Sequence, residues 1–150
     1  DHKNTLSGGM DVETISKGRT LMRQQKEGER TLNIRPAFIL VPAALETHAL
    51  QVVGSGSVKG ADVNANIINP IRNIAEIITE PRLDDNSEKD WYMAASQGSD
   101  TIEVAYLNGI DTPYIDQQEG FTSDGVTTKI RIDAGVAPLD YRGMIQVKGQ

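Results

Sequence analysis

The strongest constraint on the fold is an alternation of apolar and polar residues between positions 101 and 142. In residues 101–107, the side chains at every second position, Ile102, Val104 and Tyr106, would lie on one face of a strand. In residues 126–133, the same holds for Val126, Thr128, Ile130 and Ile132. Strict alternation is typical of a strand with one buried and one solvated face. Asn108-Gly109 and Asp124-Gly125 lie beside these runs and suit the positive φ angles of tight turns. The pattern predicts an antiparallel β-meander.

The part of the chain before residue 101 predicts two helices and a small sheet. Asp11 is a suitable N-cap for a helix over 11–27, and Pro42 is a suitable first residue for a second helix that continues over 43–53. The predicted strands are 37–41 (AFILV), 71–79 (IRNIAEIIT) and 91–95 (WYMAA), with Trp91 in the core. The fold class is therefore α+β: a mixed sheet flanked by two helices, with the meander as a separate element.

Composition limits the classes of protein that fit this chain. The net charge is −6, which argues against a general nucleic-acid binder because such a protein needs a basic face. There is no cysteine, so disulfides and thiolate metal sites are excluded. Hydrophobic content of 38% over 150 residues is low for a self-sufficient core. With Asp1 rather than Met as first residue, we expect a piece of a larger protein that depends on missing sequence or on neighbours.

Two sequence features resemble parts of ligand-binding motifs, but neither matches a complete motif. Residues 54–60 (GSGSVKG) are glycine-rich, but the third glycine is one place late for GxGxxG and no GK[ST] follows. His2 and His48 are the only histidines, and neither HExxH nor GxSxG is present. We interpret residues 54–69 as a mobile surface loop and His48 as a helix-surface or interface residue. The prediction is no enzyme, with no catalytic residue, metal site or cofactor.

Acidic residues form two groups. The first lies in a predicted turn: Asp84, Asp85, Glu88 and Asp90. Its spacing does not match a Ca²⁺ loop, so a solvated turn is predicted. The second lies in the predicted meander: Asp116, Glu119 and Asp124. Paired carboxylates of this kind serve glycosidases, but those enzymes also need aromatic platforms, and the single Trp lies in an apolar run.

The order of several short segments resembles that of a known family. The segments are FILVPAALE, EIITEPRL and WYMAA, followed by AYLNG, PYIDQQEGF, DGV, KIRIDAG and LDYRG. In order and spacing, over residues 34–142, they resemble the Mu-type phage major head subunit, which belongs to the icosahedral coat proteins with the HK97-like fold. None of the segments carries chemistry, and composition and periodicity alone do not indicate a capsid.

The resemblance implies a division of the chain and a context for it. Residues 1–100 would correspond to the axial domain, and residues 101–150 to the returning β-part of the peripheral domain. The family's spine helix, N-terminal arm and extended β-loop would precede Asp1, so the chain would be a C-terminal portion. In the whole subunit, the spine helix would cover the apolar face of the meander.

The function implied by the resemblance is structural. The chain would be a subunit of a phage or prophage capsid, assembled by repeated contacts with copies of itself. It would lie in the virion, and in the bacterial cytoplasm during assembly, with only indirect contact with packaged DNA and without a membrane or small-molecule partner. Two other functions stay open at this point: a small binding module such as a tail or baseplate adaptor, and a hydrolase.

Charged residues of alternating sign end the meander: Arg131, Asp133, Asp140 and Arg142. Two interpretations stay open for them. The first is a solvated strand face with local ion pairs. The second is ion pairing between subunits, which the resemblance favours because coat subunits pair charged edges with their neighbours.

Overall fold

A computed structural model describes residues 2, 4–57, 67–99, 101–120 and 124–150. Within them the chain forms eleven β-strands and two α-helices. They fall into two units, one made of residues 1–101 and 140–150, the other of Ile102–Leu139.

The first unit is built on a five-stranded sheet. Its elements in chain order are β1 (Thr5–Ser7), α1 (Val12–Arg23), β2 (Lys26–Glu27), β3 (Arg30–Thr31), β4 (Pro36–Val41), α2 (Glu46–Gly54), β5 (Glu76–Thr79), β6 (Trp91–Ala95) and, after the second unit, β11 (Met144–Lys148). The strand order is β1-β11-β6-β4-β5, and β2 and β3 form a separate hairpin. The pairs β1/β11 and β4/β5 are parallel, while β11/β6 and β4/β6 are antiparallel. The α+β class with a mixed sheet and two helices is confirmed.

The core lies between one face of the sheet and the two helices. Alternate residues of β4 and β6 enter it, because neighbouring side chains of a strand point to opposite faces. The fully buried members of this cluster come from strands, helices and one turn: Ile15, Met22, Ile39, Val41, Ala49, Ile71, Trp91, Met93, Ile145 and Val147. The predictions of AFILV and WYMAA as core strands and of Trp91 as a buried residue are confirmed, since its exposed fraction is 0%.

Helix α1 starts where the sequence indicates and ends earlier. The backbone N–H of Thr14 donates to Oδ1 of Asp11 at 2.7 Å, as expected for an N-cap. The prediction that the helix reaches residue 27 is wrong, because the chain turns at Gln24 and enters the β2/β3 hairpin. Gly28 has φ +60° at this turn, a conformation that glycine adopts without strain.

The predicted strand over 71–79 is only four residues long, because β5 begins at Glu76. Asn73 has φ +52°, which is incompatible with an extended strand. Ile71 is instead a fully buried core residue, and its N–H donates to Oδ1 of Asn69 at 3.1 Å. The prediction of a mobile loop over 54–69 falls largely on residues 58–66, which lie outside the described residues.

The second unit is a long two-stranded ribbon, so the predicted meander is wrong in its pairing. Its strands are β7 (Ile102–Tyr106), β8 (Tyr114–Glu119), β9 (Val126–Arg131) and β10 (Ala134–Pro138). Strand β7 pairs with β10 and β8 pairs with β9, both antiparallel. The pairs are therefore nested, with the outermost strands at the base of the ribbon and the inner strands at its tip.

The turn dipeptides behave differently from each other. Asn108 and Gly109 have φ values of +55° and +72°, as predicted, but they lie in a 3₁₀ turn on the outgoing side of the ribbon rather than in a hairpin. Gly125 is absent from the positive-φ glycines of the described residues, so the positive φ expected there is wrong.

The last residues of the chain belong to the first unit. Strand β11 lies between β1 and β6, and it returns the chain to the sheet after the ribbon ends. By their contacts, residues 140–150 group with residues 1–101. The reason is burial: Ile145 and Val147 are fully buried in the core of the first unit.

Candidate functional site

The ribbon carries most of the exposed large hydrophobic residues of the described part of the chain. Every described residue from Ile102 to Pro138 is exposed, including large side chains such as Ile130 (66%) and Val136 (68%). A two-stranded ribbon with no third strand or helix on it is marginally stable in water. Both faces of the ribbon are exposed in the described residues, as expected for a chain without the covering spine helix, and this surface is a candidate for binding.

At its base the ribbon has one uncharged apolar face. Residues directly opposite each other in an antiparallel pair lie on the same face. The register of β7 and β10 therefore collects one set of side chains: Ile102 with Pro138, Val104 with Val136, and Tyr106 with Ala134. The reverse face carries Glu103 with Ala137 and Ala105 with Gly135. The two faces of the base therefore differ, because only the reverse face carries a charge.

The tip of the ribbon repeats this division. Ile115 lies opposite Ile130 and Glu119 opposite Val126, with Gln117 and Thr128 between them. The other face of the tip is polar, with Asp116 opposite Lys129 and Gln118 opposite Thr127. The first face of the tip therefore combines Ile115, Ile130 and Val126 with three polar residues, whereas the other face is polar apart from Tyr114.

The ion pair of Arg131 and Asp133 links the two halves. Nε of Arg131 lies 3.3 Å from Oδ2 of Asp133, so both side chains point to the same side of the return strand. Alternation then places Ile132, between them, on the other side. The even-numbered residues of the return strand keep one side from Val126 to Pro138. We call this surface, with its partners on the outgoing strand, the apolar stripe.

An elbow interrupts the outgoing strand. The outgoing chain passes from β7 to β8 through residues 107–113, while the return chain needs only Ile132 and Asp133. The backbone N–H of Leu107 donates to the carbonyl of Asp133 at 3.1 Å and closes the base. A cleft of about 370 Å³ lies at this elbow; its apolar lining includes Leu107, Ile110, Pro113, Tyr114, Ile115 and Ile132.

The four charged residues singled out in the sequence form two local pairs. Arg131 and Asp133 are both in the ribbon, and the guanidinium of Arg131 also lies 5.8 Å from the ring centroid of Tyr114. Asp140 and Arg142 are both in the first unit, with Nη1 of Arg142 at 3.2 Å from Oδ2 of Asp140. The structure therefore divides the four residues between the two units.

Arg142 also ties the β2/β3 hairpin to the C-terminal segment. Its Nη1 lies 3.6 Å from Oε1 of Glu27, and its side chain is only 25% exposed. A hydrogen bond with the Tyr141 side chain, together with the charges of Asp140 and Glu27, raises the pKa of Arg142 above its ordinary value. These contacts give Arg142 a structural role within the first unit.

The two histidines do not converge on a site. His48 is exposed on α2, and since a carbonyl can only accept, its Nε2–H donates to the carbonyl of Met10 at 2.9 Å. The ring of His2 stacks on Tyr141 with centroids 3.9 Å apart. Of the glycine-rich segment 54–60, residues 58–60 lie outside the described residues.

The acidic groups are separated by the fold. Asp84 accepts two backbone hydrogen bonds at the start of a helical segment, and Oδ1 of Asp90 accepts from the N–H of Gly149 at 3.0 Å. Asp116 and Glu119 lie on opposite faces of the tip, because their positions differ by an odd number. This geometry opposes the paired carboxylates of a glycosidase.

Two other features are absent from the described residues, a cluster of metal ligands and a membrane-spanning helix. No group of three or more His, Cys, Asp or Glu in the described ranges is arranged to hold a metal ion. Among the described helices, none is both long and apolar enough to cross a membrane.

The sequence pattern alone did not predict the full length of the apolar stripe. Its signal was present, because residues 126, 130, 132 and 136 are all large, apolar and even-numbered. The stripe was not recognised because β10 (AGVAP) has small residues and a proline, which are weak strand signals.

Comparison with known proteins identifies the family of the chain. None of the curated proteins compared with the chain matches it. A family model described as phage capsid protein matches residues 1–147, which is nearly the whole length. Capsid proteins are structural components of the virion, and they assemble into a shell through contacts with one another. The chain belongs to the phage capsid protein family.

Proposed function

We propose that the chain is the C-terminal portion of a Mu-type major head subunit with the HK97-like fold, and that its copies build an icosahedral shell. The observation that carries the proposal is the family match over residues 1–147. The ordered series of segments from FILVPAALE to LDYRG supports the Mu-type assignment.

The presence of two units supports an assignment of each unit to a different domain of the subunit. In the proposal, the sheet and helices of the first unit form the axial domain, and the ribbon belongs to the peripheral domain. The ribbon supplies the long, exposed element that a shell subunit needs in order to reach its neighbours. Closed shells form by many repeated contacts under symmetry, so each contact is weak by itself.

The charged residues and the net charge are the basis for the contacts that we propose. Arg131 and Asp133 have side chains 61% and 49% exposed, so in the proposal they can exchange their local pairing for pairing with a neighbouring subunit. Asp140 and Arg142, which are more buried, contribute by fixing the segment next to the ribbon. With a net charge of −6, the surface is unsuited to binding DNA broadly, so contact with packaged DNA is indirect.

Electron microscopy tests this function. The complete coding sequence that contains this chain is expressed in bacteria, and the particles are purified and imaged. Closed icosahedral shells, with peptides of residues 1–150 recovered from them by mass spectrometry, are the expected result. Particles that form tails or baseplates, or shells from which these peptides are missing, would contradict the proposal.

A further inference from the structure

We infer that the apolar stripe of the ribbon is a contact surface for the ribbon of a second copy of this chain, packed face to face about a two-fold axis. The inference rests on the proposed function for its biological setting, since a shell surrounds each subunit with copies of itself. It takes the ribbon of a second copy, and not the spine helix that the resemblance implies, as the cover of this face. It goes further by naming the surface and the mode of packing.

The chemistry of the stripe fits a copy of itself. Between Ile102 and Ile130 it presents aliphatic and aromatic side chains without a charge, and the single acid, Glu119, lies at the far end of the tip. A two-fold contact brings identical patches together, so a charged patch would repel itself whereas an uncharged apolar patch does not. The reverse face places Glu103 at the base and the Asp116–Lys129 pair at the tip, so it is the side suited to water.

The elbow adds a cleft to the apolar stripe. The cleft of about 370 Å³ beside Ile132 is lined by apolar residues together with Asn108, Thr112, Arg131 and Asp133, and its apolar part can receive a large side chain of the partner ribbon. The ribbon itself carries such side chains on either side of the elbow, among them Tyr106 and Ile115, exposed by 37% and 61%. One ribbon therefore has both a cleft and the groups that fill it.

The size of the stripe predicts how strong the contact is. Strand geometry gives the return strand from Val126 to Pro138 a length of roughly 40 Å, and two strands a width of roughly 10 Å. This plan area of about 400 Å² is about half of the 800 Å² per partner that a standard stable interface buries. The contact should therefore be weak and concentration-dependent, as suits an interface that is repeated many times in a shell.

Sedimentation velocity of the 150-residue chain over a range of concentrations is the first test. We expect reversible self-association that Ile130→Glu and Val136→Glu each weaken by about tenfold or more, because each places a charge in the apolar contact. The matched control is Thr127→Glu, which adds the same charge to the polar face of the same ribbon and should leave association within about twofold. Cross-strand NMR contacts between β7 and β10 establish that the ribbon is still formed in each variant.

Cysteine cross-linking is the second test, and the absence of native cysteine makes it clean. Ile132 is the midpoint of the return strand from Val126 to Pro138, and a two-fold contact between identical stripes brings midpoints closest together. Ile132→Cys should therefore form disulfide-linked dimers readily under mild oxidation, and Thr127→Cys should not.

The outcomes separate this inference from the proposed function. A chain that stays monomeric at millimolar concentration, or cross-links equally from both faces, or associates as well with Ile130→Glu as without it, overturns the inference even if shells contain the chain. Conversely, stripe-dependent dimers from a chain that is missing from shells would uphold the contact and refute the function.

Discussion

Asp84 caps a helical segment that begins forty-one residues earlier in the chain, at Ala43. Its Oδ2 accepts the backbone N–H of Ala43 at 2.8 Å, and its Oδ1 accepts that of Ala44 at 3.2 Å. The first N–H groups of a helix have no partner inside it, and a negative charge is favourable beside them. Pro42 has no side-chain group to offer as a cap, so the carboxylate of a distant turn fills this role.

Asp84→Ala should therefore lower the free energy of unfolding by about 1 kcal/mol, the usual cost of losing a helix cap. Urea unfolding followed by circular dichroism measures the change. Asp85→Ala is the matched control, because Asp85 is the adjacent acid and is exposed. Equal losses in the two variants would show that Asp84 acts only as one more surface charge.

Trp91→Ala should lower the free energy of unfolding by roughly 3–5 kcal/mol, because it empties a large buried site. Trp91 is fully buried on β6 beside Val147, and its Nε1 has no hydrogen-bond partner among the described residues. Trp91→Phe should cost less, since it keeps the ring and removes an unpaired donor. Leu50→Ala is the exposed control. As the only Trp, residue 91 should emit at short wavelength in the native protein, and emission typical of water would refute its placement.

The carboxylate of Glu80 should titrate well below the ordinary range. Oε1 and Oε2 accept from Nε and Nη2 of Arg82, each at 2.7 Å, and Oε1 also accepts the backbone N–H of Arg82. These side-chain bonds, with the backbone bond next, lower the pKa of Glu80 from 4.5 to about 2. Because the folded pKa is the lower one, the pair adds stability above pH 4.5, and that contribution is lost as pH falls through about 2.

NMR titration of the Glu80 side chain tests this pair directly. Arg82→Gln should return the pKa of Glu80 toward 4.5, whereas Lys89→Gln should leave it unchanged. The effect on unfolding should be small, because the Arg82 side chain is 85% exposed. An unchanged titration in Arg82→Gln would show that the fork is not populated in solution.

Gly149→Ala should destabilise the first unit by about 1–3 kcal/mol, the usual range for overpacking. A Cβ at this position would overlap the backbone carbonyl of Lys89, and the N–H of Gly149 donates to Asp90. Gly54→Ala is the control, because a Cβ there meets nothing within 4 Å. Hydrogen exchange at residue 149 reports the bond directly, and protection retained in Gly149→Ala would mean that the loop adjusts without cost.

The sequence predicted correctly those elements that are indicated by residues close together in the chain. The apolar runs of β4 and β6 and the capping side chain of Asp11 needed no tertiary information. Pairing and burial did need it. Strand β7 pairs with β10 across the whole tip, although the weak AGVAP segment hides its partner, and Asp84 acts on Ala43 through a contact that spacing does not reveal. Ile71 was misplaced for the same reason, because Asn69 turns the chain there through hydrogen bonds to Val52 and Ser55.

The last prediction concerns the cost in stability of replacing two glycines of the ribbon, Gly109 and Gly125. The sequence predicts a turn with positive φ at Asp124-Gly125, and such a turn would make Gly125→Val costly. The structure places that requirement at Gly109 instead, where φ is +72°. Gly109→Val should therefore cost on the order of 1–3 kcal/mol, because a β-branched residue resists this backbone conformation. A Cβ at Gly125 meets none of the described residues within 4 Å, so Gly125→Val should be nearly neutral.

Cross-strand NMR contacts between Tyr114 and Arg131, which are partners in the β8/β9 register, provide the readout. With Gly109→Val the elbow should distort, the bond from Leu107 to Asp133 should lose its exchange protection, and the apolar side chains of the elbow cleft should shift. With Gly125→Val these signals should stay as in the native chain. If Gly125→Val disrupts the ribbon and Gly109→Val leaves it intact, the turn at the tip, and not the elbow, sets the register of the apolar stripe.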